Sequence, residues 1–420
     1  PALAGRPHDR PWTLSAASTA RAGHYTGSAV PVAWARAARH GAPEEDRTLL
    51  VLGDLPDAGW ARHPLRLAAL RGWPVVAEPF GIGDRAGVLP HGPLVLADPG
   101  WVREHRPDRV LVVGRVTLSR DLARLFREPG VRVETVSAVE EWTDPGHVAA
   151  EVHPWVELLT ALDETETEAG GRDDDGLPVP TVGPWARAWV DAGHRLQQAV
   201  AAHLPQDWPS GPSVARAVLD GLDPADVLVL GSSNPARDVD LAMRPEDHVL
   251  VIAGRGLAGI DGTVSTAAGV ALTADLHPRA RRRTVALMGD LTFLHDANGL
   301  LVGPGEPRPD LTVVVVNDDG GGIFATLDYG HPDRADAFER FFTTPTGTDL
   351  AALCRAHGVG HTAVDSAAGL TAAVRATGRG IRVVEVRVPP GGHRRGRQAL
   401  RDLAAEAVRG EALTRPARPR

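Results

Sequence analysis

Two acidic side chains follow two apolar segments in the last third of the chain. Asp290 follows the apolar run 284–288, and Asp318 follows the run 312–316. If both runs are neighbouring parallel strands, their carboxyl ends meet at one edge of a sheet, where α/β proteins bind ligands. The two carboxylates and a backbone carbonyl near Gly320 are then predicted to converge on one hard cation. Mg²⁺ prefers such oxygen sites and commonly keeps phosphate groups as further ligands.

The glycines at 320–322 extend this interpretation. Residues without a side chain let the backbone approach a diphosphate closely. The same pattern would also arise from two ordinary strand ends with turn-forming glycine and aspartate. These two segments alone therefore leave both interpretations open.

Two segments further upstream have the pattern of a buried strand that breaks into a helix. In residues 227–241, Ser232 or Ser233 is placed to cap the helix, whose amino terminus would suit an anion. Arg237, about one turn into that helix, could offer its guanidinium fork to a carboxylate, although a plain helix cap is the alternative. In residues 248–269 a strand precedes a glycine-rich loop, which fits neither a Walker loop nor the dinucleotide fingerprint.

Four motifs, in this order, carry a resemblance to one family. They are Gly-Ser-Ser-Asn-Pro-Ala-Arg-Asp (231–238), Arg-Gly-Leu-Ala-Gly-Ile-Asp-Gly (255–262), Gly-Asp-Leu-Thr-Phe-Leu-His-Asp (289–296) and Asn-Asp-Asp-Gly-Gly-Gly-Ile-Phe (317–324). Together they resemble the 2-succinyl-5-enolpyruvyl-6-hydroxy-3-cyclohexene-1-carboxylate (SEPHCHC) synthase family of thiamine diphosphate enzymes, and residues 338–349 extend the match. The general metal motif of thiamine diphosphate enzymes closes with two asparagines. Here Asp318 stands at the second, which keeps an oxygen ligand and adds a negative charge.

The resemblance implies roles for individual residues. Asp290, Asp318 and the Gly320 carbonyl would hold Mg²⁺ or Mn²⁺ on the diphosphate of the cofactor, thiamine diphosphate. The cofactor pocket would be lined by Ser233, Gly259, Ile260, Gly289, Asp290, Leu291, Asp318, Gly320, Gly321 and Ile323. Substrate would be bound and oriented by Ser233, Arg237 and Arg255, beside an apolar wall of Ile260, Ile323, Phe324 and Leu327. Surface positions for the arginines, and ordinary core positions for the apolar residues, are the alternatives.

The implied activity is the decarboxylation of 2-oxoglutarate and the conjugate addition of the succinyl-semialdehyde unit to isochorismate. The product would be SEPHCHC, an intermediate of menaquinone biosynthesis. Arginines suit the carboxylates of both substrates, and an apolar site favours the loss of CO₂. Three alternatives stay open. They are another thiamine diphosphate carboligase or decarboxylase such as an acetolactate synthase relative, a non-catalytic cofactor-binding chain, and an α/β nucleotide-binding module without thiamine.

Composition excludes several other classes. The 420 residues exceed one typical domain, and a formal net charge of −8 argues against nucleic acid as the main partner. No apolar run approaches the length of a membrane span, so we expect no integral membrane segment. One cysteine excludes an intrachain disulfide and fits a cytoplasmic location. The chain contains no lysine, which excludes a Schiff-base or Walker lysine within it.

Alternating strand and helix patterns predict an α/β fold of two consecutive parallel-sheet domains. The central domain, residues 28–163, has strand-like runs at 48–53, 74–77, 94–97, 109–113 and 131–135. The acidic run 164–184 is interpreted as a linker. Residues 185–420 would form the diphosphate- and metal-binding domain. Residues 1–27 have the composition of a linker, which in the family would follow an N-terminal pyrimidine-binding domain that carries the cofactor-activating glutamate.

Because no motif of that pyrimidine domain is found, we expect the sequence to be incomplete and inactive alone. The family binds its cofactor between subunits, which implies a homodimer or tetramer for the complete enzyme. Arg120 matches one of a basic pair near the substrate in the family, with a solvated helix start as the alternative. His295 is expected on a helix surface, and Cys354 is expected to be buried as a small apolar residue.

Overall fold

The computed structural model describes residues 47–140, 142, 144, 146–168, 182–275, 283–326, 335–389 and 392–410. Two parallel β-sheets, one after the other along the chain, organise these residues. This arrangement confirms the predicted α/β class with two consecutive parallel sheets. Among the described residues, no helix is both long enough and apolar enough to cross a bilayer.

The first sheet has five strands in the order β2-β1-β3-β4-β5. They are β1 (Thr48–Leu52), β2 (Val75–Ala77), β3 (Arg109–Val113), β4 (Arg132–Ser137) and β5 (Ala149–Pro154). The central strands are almost entirely valine and leucine, and β1 is buried along its whole length. Such continuous apolar runs are typical of parallel strands that helices cover on both faces.

The second sheet has six strands in the order β10-β11-β9-β8-β6-β7. They are β6 (Val227–Leu230), β7 (Leu250–Ala253), β8 (Thr284–Gly289), β9 (Asp310–Asn317), β10 (Gly360–Val364) and β11 (Gly380–Arg387). After β6 the chain adds β7 on one side and then crosses to add β8 on the other. The order therefore reverses between β6 and β8, and the crevice at the carboxyl ends of these strands is the usual ligand site of such sheets.

Fourteen α-helices connect the strands in the described part of the chain. They are α1 (Arg62–Arg71), α2 (Gly92–Val95), α3 (Pro99–Glu104), α4 (Arg120–Leu125), α5 (Trp155–Glu168), α6 (Pro184–His203), α7 (Gly211–Leu219), α8 (Asn234–Ala242), α9 (Thr263–Asp275), α10 (Asp290–His295), α11 (Ala335–Phe338), α12 (Leu350–Ala356), α13 (Ala367–Arg375) and α14 (Gly392–Arg409).

Helices α6 and α14 tie the two sheets together. Trp189 of α6 is fully buried and packs edge-on against Trp101 of α3, with the ring centroids 5.1 Å apart. Arg195 of α6 donates to the backbone carbonyl oxygens of Ala407 and Val408 at the end of α14. Because α6 contacts both α3 and α14, it is a central packing element.

Three features of the first sheet differ from the sequence predictions. Residues 94–97, predicted as a strand, form the end of helix α2 and the turn after it, and α2 is buried on all sides. An all-buried apolar run shows no periodicity that separates helix from strand, and Pro93 in the first turn favours the helix. The acidic run from Glu164 was predicted as linker, but α5 continues to Glu168. Strand β5 was not predicted, because its only fully buried side chain is His153.

The predicted boundaries 28–163, 164–184 and 185–420 remain predictions. Residues 1–46 and 169–181 lie outside the described part of the chain, so the predicted linker 1–27 is not described. Helix α6 begins at Pro184, one residue before the predicted start of the last domain.

His91 connects the first sheet to helix α8. It precedes α2, and its buried Nδ1 lies 2.8 Å from the carbonyl oxygen of Leu241. Burial lowers the pKa of His91 from 6.5 to about 4. In the folded protein this imidazole is therefore neutral at pH values where the unfolded chain is protonated.

The free energy of unfolding should consequently fall as the pH is lowered from about 6.5 to 4. Between pH 7 and pH 5 we expect this residue to account for a loss of about 2 kcal/mol. Denaturant titrations at the two pH values should show that His91→Gln loses this part of the pH dependence. The exposed His295→Gln is the matched control and should keep the wild-type slope. An unchanged slope in His91→Gln would contradict the prediction.

Candidate cofactor and metal site

The end of β6 places Ser233 at the crevice between β6 and β8. Gly231 lies so close to Met288 of β8 that a Cβ there would be 2.8 Å from the Met288 Cβ. Ser233 then adopts φ 81° and ψ −136°, a conformation that is costly for a residue with a side chain. It occupies the N-cap position of α8 but makes no capping hydrogen bond, so the predicted capping role of Ser233 is wrong. Its side chain remains available to a ligand.

Asp290 lies at the end of β8, directly beside the turn that follows β9. Its Oδ2 accepts the backbone N–H of Gly320 at 2.8 Å, and its Oδ1 accepts that of Leu291 at 2.8 Å. The side chain is buried. Burial and then the neighbouring charge of Asp318 raise the pKa of Asp290 to about 7. The two carboxylates thus repel each other, as expected for ligands of a shared cation.

The glycine turn after Asp319 is closed by the segment before Thr344. A Cβ on Gly320 would overlap the carbonyl oxygen of Thr343, and Gly320 has φ +136°, which favours glycine. The N–H of Gly321 donates to the Thr343 carbonyl oxygen at 2.7 Å. The backbone of the turn is therefore held between the segment 339–343 on one side and Asp290 on the other.

Asp318 contacts a histidine that the sequence analysis did not consider. His393, in the first turn of α14, places Nε2 3.2 Å from Asp318 Oδ2 and Nδ1 3.5 Å from Asp238 Oδ2. Arg397 completes the group by donating to Asp238 Oδ1 at 2.7 and 3.0 Å. Burial opposes protonation of His393, but the contacts with Asp238 and Asp318 raise its pKa to about 9. The imidazole is therefore positively charged at neutral pH.

Most of the predicted cofactor residues line one cavity of about 140 Å³. They are Ser233, Ile260, Gly289, Asp290, Leu291, Asp318, Gly320, Gly321 and Ile323, and Phe324 of the predicted apolar wall lines the same cavity. His393 also lines this cavity. Gly259 lines a separate cavity of about 240 Å³ along the glycine-rich loop after β7. Leu327 lies outside the described residues.

A second, basic cavity of about 620 Å³ adjoins the apolar wall. Ile323 and Phe324 line it together with Arg120, Arg124, Arg237, Arg394, Arg397 and Arg401. Burial lowers the pKa of Arg237, and the charges of Arg397, Arg255 and Arg120 lower it further. Arg237 also donates to the Ser233 carbonyl oxygen at 2.8 Å. This concentration of positive charge would suit a ligand with more than one carboxylate.

Arg255 is held by the first sheet. Its Nε and Nη2 donate to Oγ1 and the carbonyl oxygen of Thr117, both at 3.1 Å, and its guanidinium lies 5.4 Å from the ring centroid of Phe80. Thr117 is fixed in turn by the buried carboxylate of Glu78, which accepts its N–H. The surface alternative for Arg255 is wrong, because only 7% of its surface is exposed. Its predicted contact with substrate remains a prediction.

The donor set fits a divalent cation with a diphosphate. Asp290 and Asp318 supply hard carboxylate oxygens at the carboxyl edge of the sheet, which Mg²⁺ or Mn²⁺ prefers. The Gly320 carbonyl oxygen accepts the N–H of Gly322 at 3.0 Å, and its second lone pair remains for a metal.

Comparison with known proteins bears on the open interpretations. Residues 236–386 match the family model described as thiamine pyrophosphate enzyme, C-terminal TPP binding domain. A 2-succinyl-5-enolpyruvyl-6-hydroxy-3-cyclohexene-1-carboxylate synthase from Saccharopolyspora erythraea is 45% identical over 318 residues. A synthase of the same name from Mycobacterium avium is 37% identical over 418 residues. Over most of its length the chain is therefore similar to SEPHCHC synthases. This similarity favours the synthase interpretation over an acetolactate synthase relative.

These alignments cover more of this chain than of its relatives. The Saccharopolyspora erythraea protein aligns over 75% of this chain and 53% of its own length. For a Kineococcus radiotolerans synthase, 41% identical, the shares are 86% and 60%, and for the Mycobacterium avium synthase 96% and 63%. The chain therefore spans between about half and two thirds of the curated SEPHCHC synthases that it matches.

A solved structure supports the fold. Benzoylformate decarboxylase from Polynucleobacter necessarius superposes with a TM-score of 0.52, covering 86% of this chain and 64% of that chain. The sequences are 16% identical, so this likeness concerns the fold alone.

Arg120 is exposed at the start of α4, as the alternative predicted, and it also lines the basic cavity. Its position near the substrate remains a prediction. His295 is exposed at the end of α10, and Cys354 is fully buried, which confirms both expectations. His393 and Arg397 were not predicted from the sequence, although their spacing of four residues places them on one helix face.

Proposed function

We propose that the protein acts in SEPHCHC synthesis, with 2-oxoglutarate and isochorismate as substrates and thiamine diphosphate and Mg²⁺ or Mn²⁺ as cofactors. One observation carries the proposal: Asp290 and Asp318 line one cavity, and Ile323 and Phe324 line both that cavity and the basic cavity around Arg237. The similarity to SEPHCHC synthases supports the choice of substrates and cofactor.

The side chains of the two cavities would have different roles. Asp290 and Asp318 would hold the metal on the diphosphate, with the Gly320 carbonyl oxygen as a third ligand. When bound, thiamine diphosphate supplies the electron sink for decarboxylation. Arg237 and Arg120 would orient substrate carboxylates. Ile323 and Phe324 would exclude water from the reacting carbons, which favours loss of CO₂ in a site of low dielectric constant.

The test is a substrate comparison on protein purified from its natural source. With Mg²⁺ and thiamine diphosphate present, we expect SEPHCHC formation from 2-oxoglutarate and isochorismate, and little turnover of pyruvate. Preferential turnover of pyruvate would instead support another carboligase of the acetolactate synthase kind. Failure of Mg²⁺ with thiamine diphosphate to bind would favour a module without thiamine.

A homo-oligomer is part of the same proposal. The resemblance described above implies cofactor sites between subunits and so motivates the proposal of a homo-oligomer. Native mass measurement on the same preparation should give a dimer or tetramer, and a monomer with full activity would contradict it.

A further inference from the structure

Four neighbouring polar side chains run from the basic cavity to the predicted metal ligand. In order they are Arg397, Asp238, His393 and Asp318. His393 and Asp238 are 2% exposed, and Asp318 is 8% exposed. A buried charge is costly unless it is paired, so each member of this group depends on its neighbours.

The backbone around the group leaves little freedom to move. A Cβ on Gly322 would overlap Asp318 Oδ2, and a Cβ on Gly211 would overlap Asp238 Oδ2 and lie 2.8 Å from His393 Nδ1. Both carboxylates are thus packed against glycines on one side and His393 on the other. The orientation of Asp318 is set by packing as well as by charge.

The group also joins the two cavities. His393 lines the cavity that contains Asp290 and Asp318, whereas Arg397, one turn later in α14, lines the basic cavity with Arg237. Asp238 directly follows Arg237 in α8 and contacts both members of α14. The first two turns of α14 therefore contribute side chains to both the predicted metal site and the basic cavity.

We propose that His393 is a positioning residue for the metal ligand Asp318. Its Nε2 lies 3.2 Å from Oδ2 and would hold that oxygen by donating to it, which leaves Oδ1 for the cation. This inference rests on the proposed function.

The test is a double-mutant cycle on the full chain, with Mn²⁺ binding in the presence of thiamine diphosphate as the readout. His393→Leu should weaken Mn²⁺ binding by about 10–100-fold, the usual cost of losing an outer-shell partner. His393→Gln keeps an N–H donor for Oδ2 and should recover most of this loss. In an Asp318→Asn background the amide nitrogen takes the place of Oδ2 and cannot accept from His393, so His393→Leu should cost no more than about threefold.

The matched control is His91→Leu. His91 is equally buried, and its Nδ1 lies 2.8 Å from the carbonyl oxygen of Leu241. It should lower the melting temperature without changing Mn²⁺ affinity, which separates general destabilisation from a local effect.

Equal losses from His393→Leu in the wild-type and Asp318→Asn backgrounds would overturn the positioning role while leaving the proposed function intact. A His393→Gln variant as weak as His393→Leu would do the same. A wild-type protein that does not bind Mn²⁺ with thiamine diphosphate would instead overturn the proposed cofactor site, and this inference with it.

Discussion

Replacement of Asp290 by alanine should abolish metal-dependent binding of thiamine diphosphate. The change removes one carboxylate ligand and also frees the N–H groups of Gly320 and Leu291, which shape the turn after β9. We expect affinity for the cofactor with Mg²⁺ to fall by more than about 100-fold, beyond the range for outer-shell partners. Isothermal titration calorimetry with thiamine diphosphate, with and without Mg²⁺, measures the effect directly.

Two further variants separate ligation from folding. Asp290→Asn keeps the shape of the side chain and should still lose most of the affinity, because an amide oxygen is a weaker ligand than a carboxylate. Asp296→Ala removes a carboxylate of the same region that accepts from Ser265, and it should bind the cofactor normally. Unchanged cofactor affinity in Asp290→Ala would remove Asp290 from the site.

The stability of ligand-free Asp290→Asn also separates ligation from folding. Burial and the charge of Asp318 both disfavour ionisation of Asp290, as its raised pKa shows. Removing the Asp290 carboxylate should therefore not lower the free energy of unfolding at pH 8. Functional sites commonly hold such destabilising groups, which the ligand then stabilises.

The carboxyl edge of the second sheet was predictable because its information is local. Apolar runs predict the strands, parallel connections place their carboxyl ends together, and Asp290 and Asp318 each stand within two residues of a strand end. The register then follows, since Gly289 pairs with Val316. Ten predicted residues consequently line a single cavity.

Contacts between residues far apart in the sequence could not be predicted in this way. His393 reaches Asp318 because α14 packs against α6 and the segment 322–326, and nothing near Asp318 in the sequence indicates that approach. Arg255 donates to Thr117, which lies 138 positions away in the chain. The positive φ of Ser233 and the close approach of Gly231 to Met288 likewise have no counterpart in a local sequence pattern.

These long-range contacts do not change the chemistry available to the site, but they determine how rigidly its predicted ligands are held. The motifs identify the ligand oxygens, and the packing of α14 and of segment 339–343 fixes the orientation of those oxygens. A Cβ on Gly322 would meet both Asp318 and His393 of α14. An added methyl group at this position should therefore displace a predicted ligand without removing it.

Gly322→Ala should weaken cofactor binding severely and destabilise the protein. The added Cβ would overlap Asp318 Oδ2 and lie 2.7 Å from its Cγ and 3.4 Å from His393 Cδ2. Because His393 holds Asp318 from the other side, the carboxylate must leave its position. We expect a loss of about 1–3 kcal/mol in the free energy of unfolding, typical of overpacking, with cofactor affinity falling by at least about tenfold.

A second substitution tests this cause. In Asp318→Ala/Gly322→Ala the clashing side chain is gone, so stability should recover relative to Gly322→Ala while cofactor affinity stays low. Gly305→Ala, where a Cβ meets nothing within 4 Å, is the control for alanine substitution itself and should leave both properties unchanged. Normal cofactor affinity in Gly322→Ala would show that the Asp318 carboxylate does not need its present position, and hence that it is not a metal ligand there.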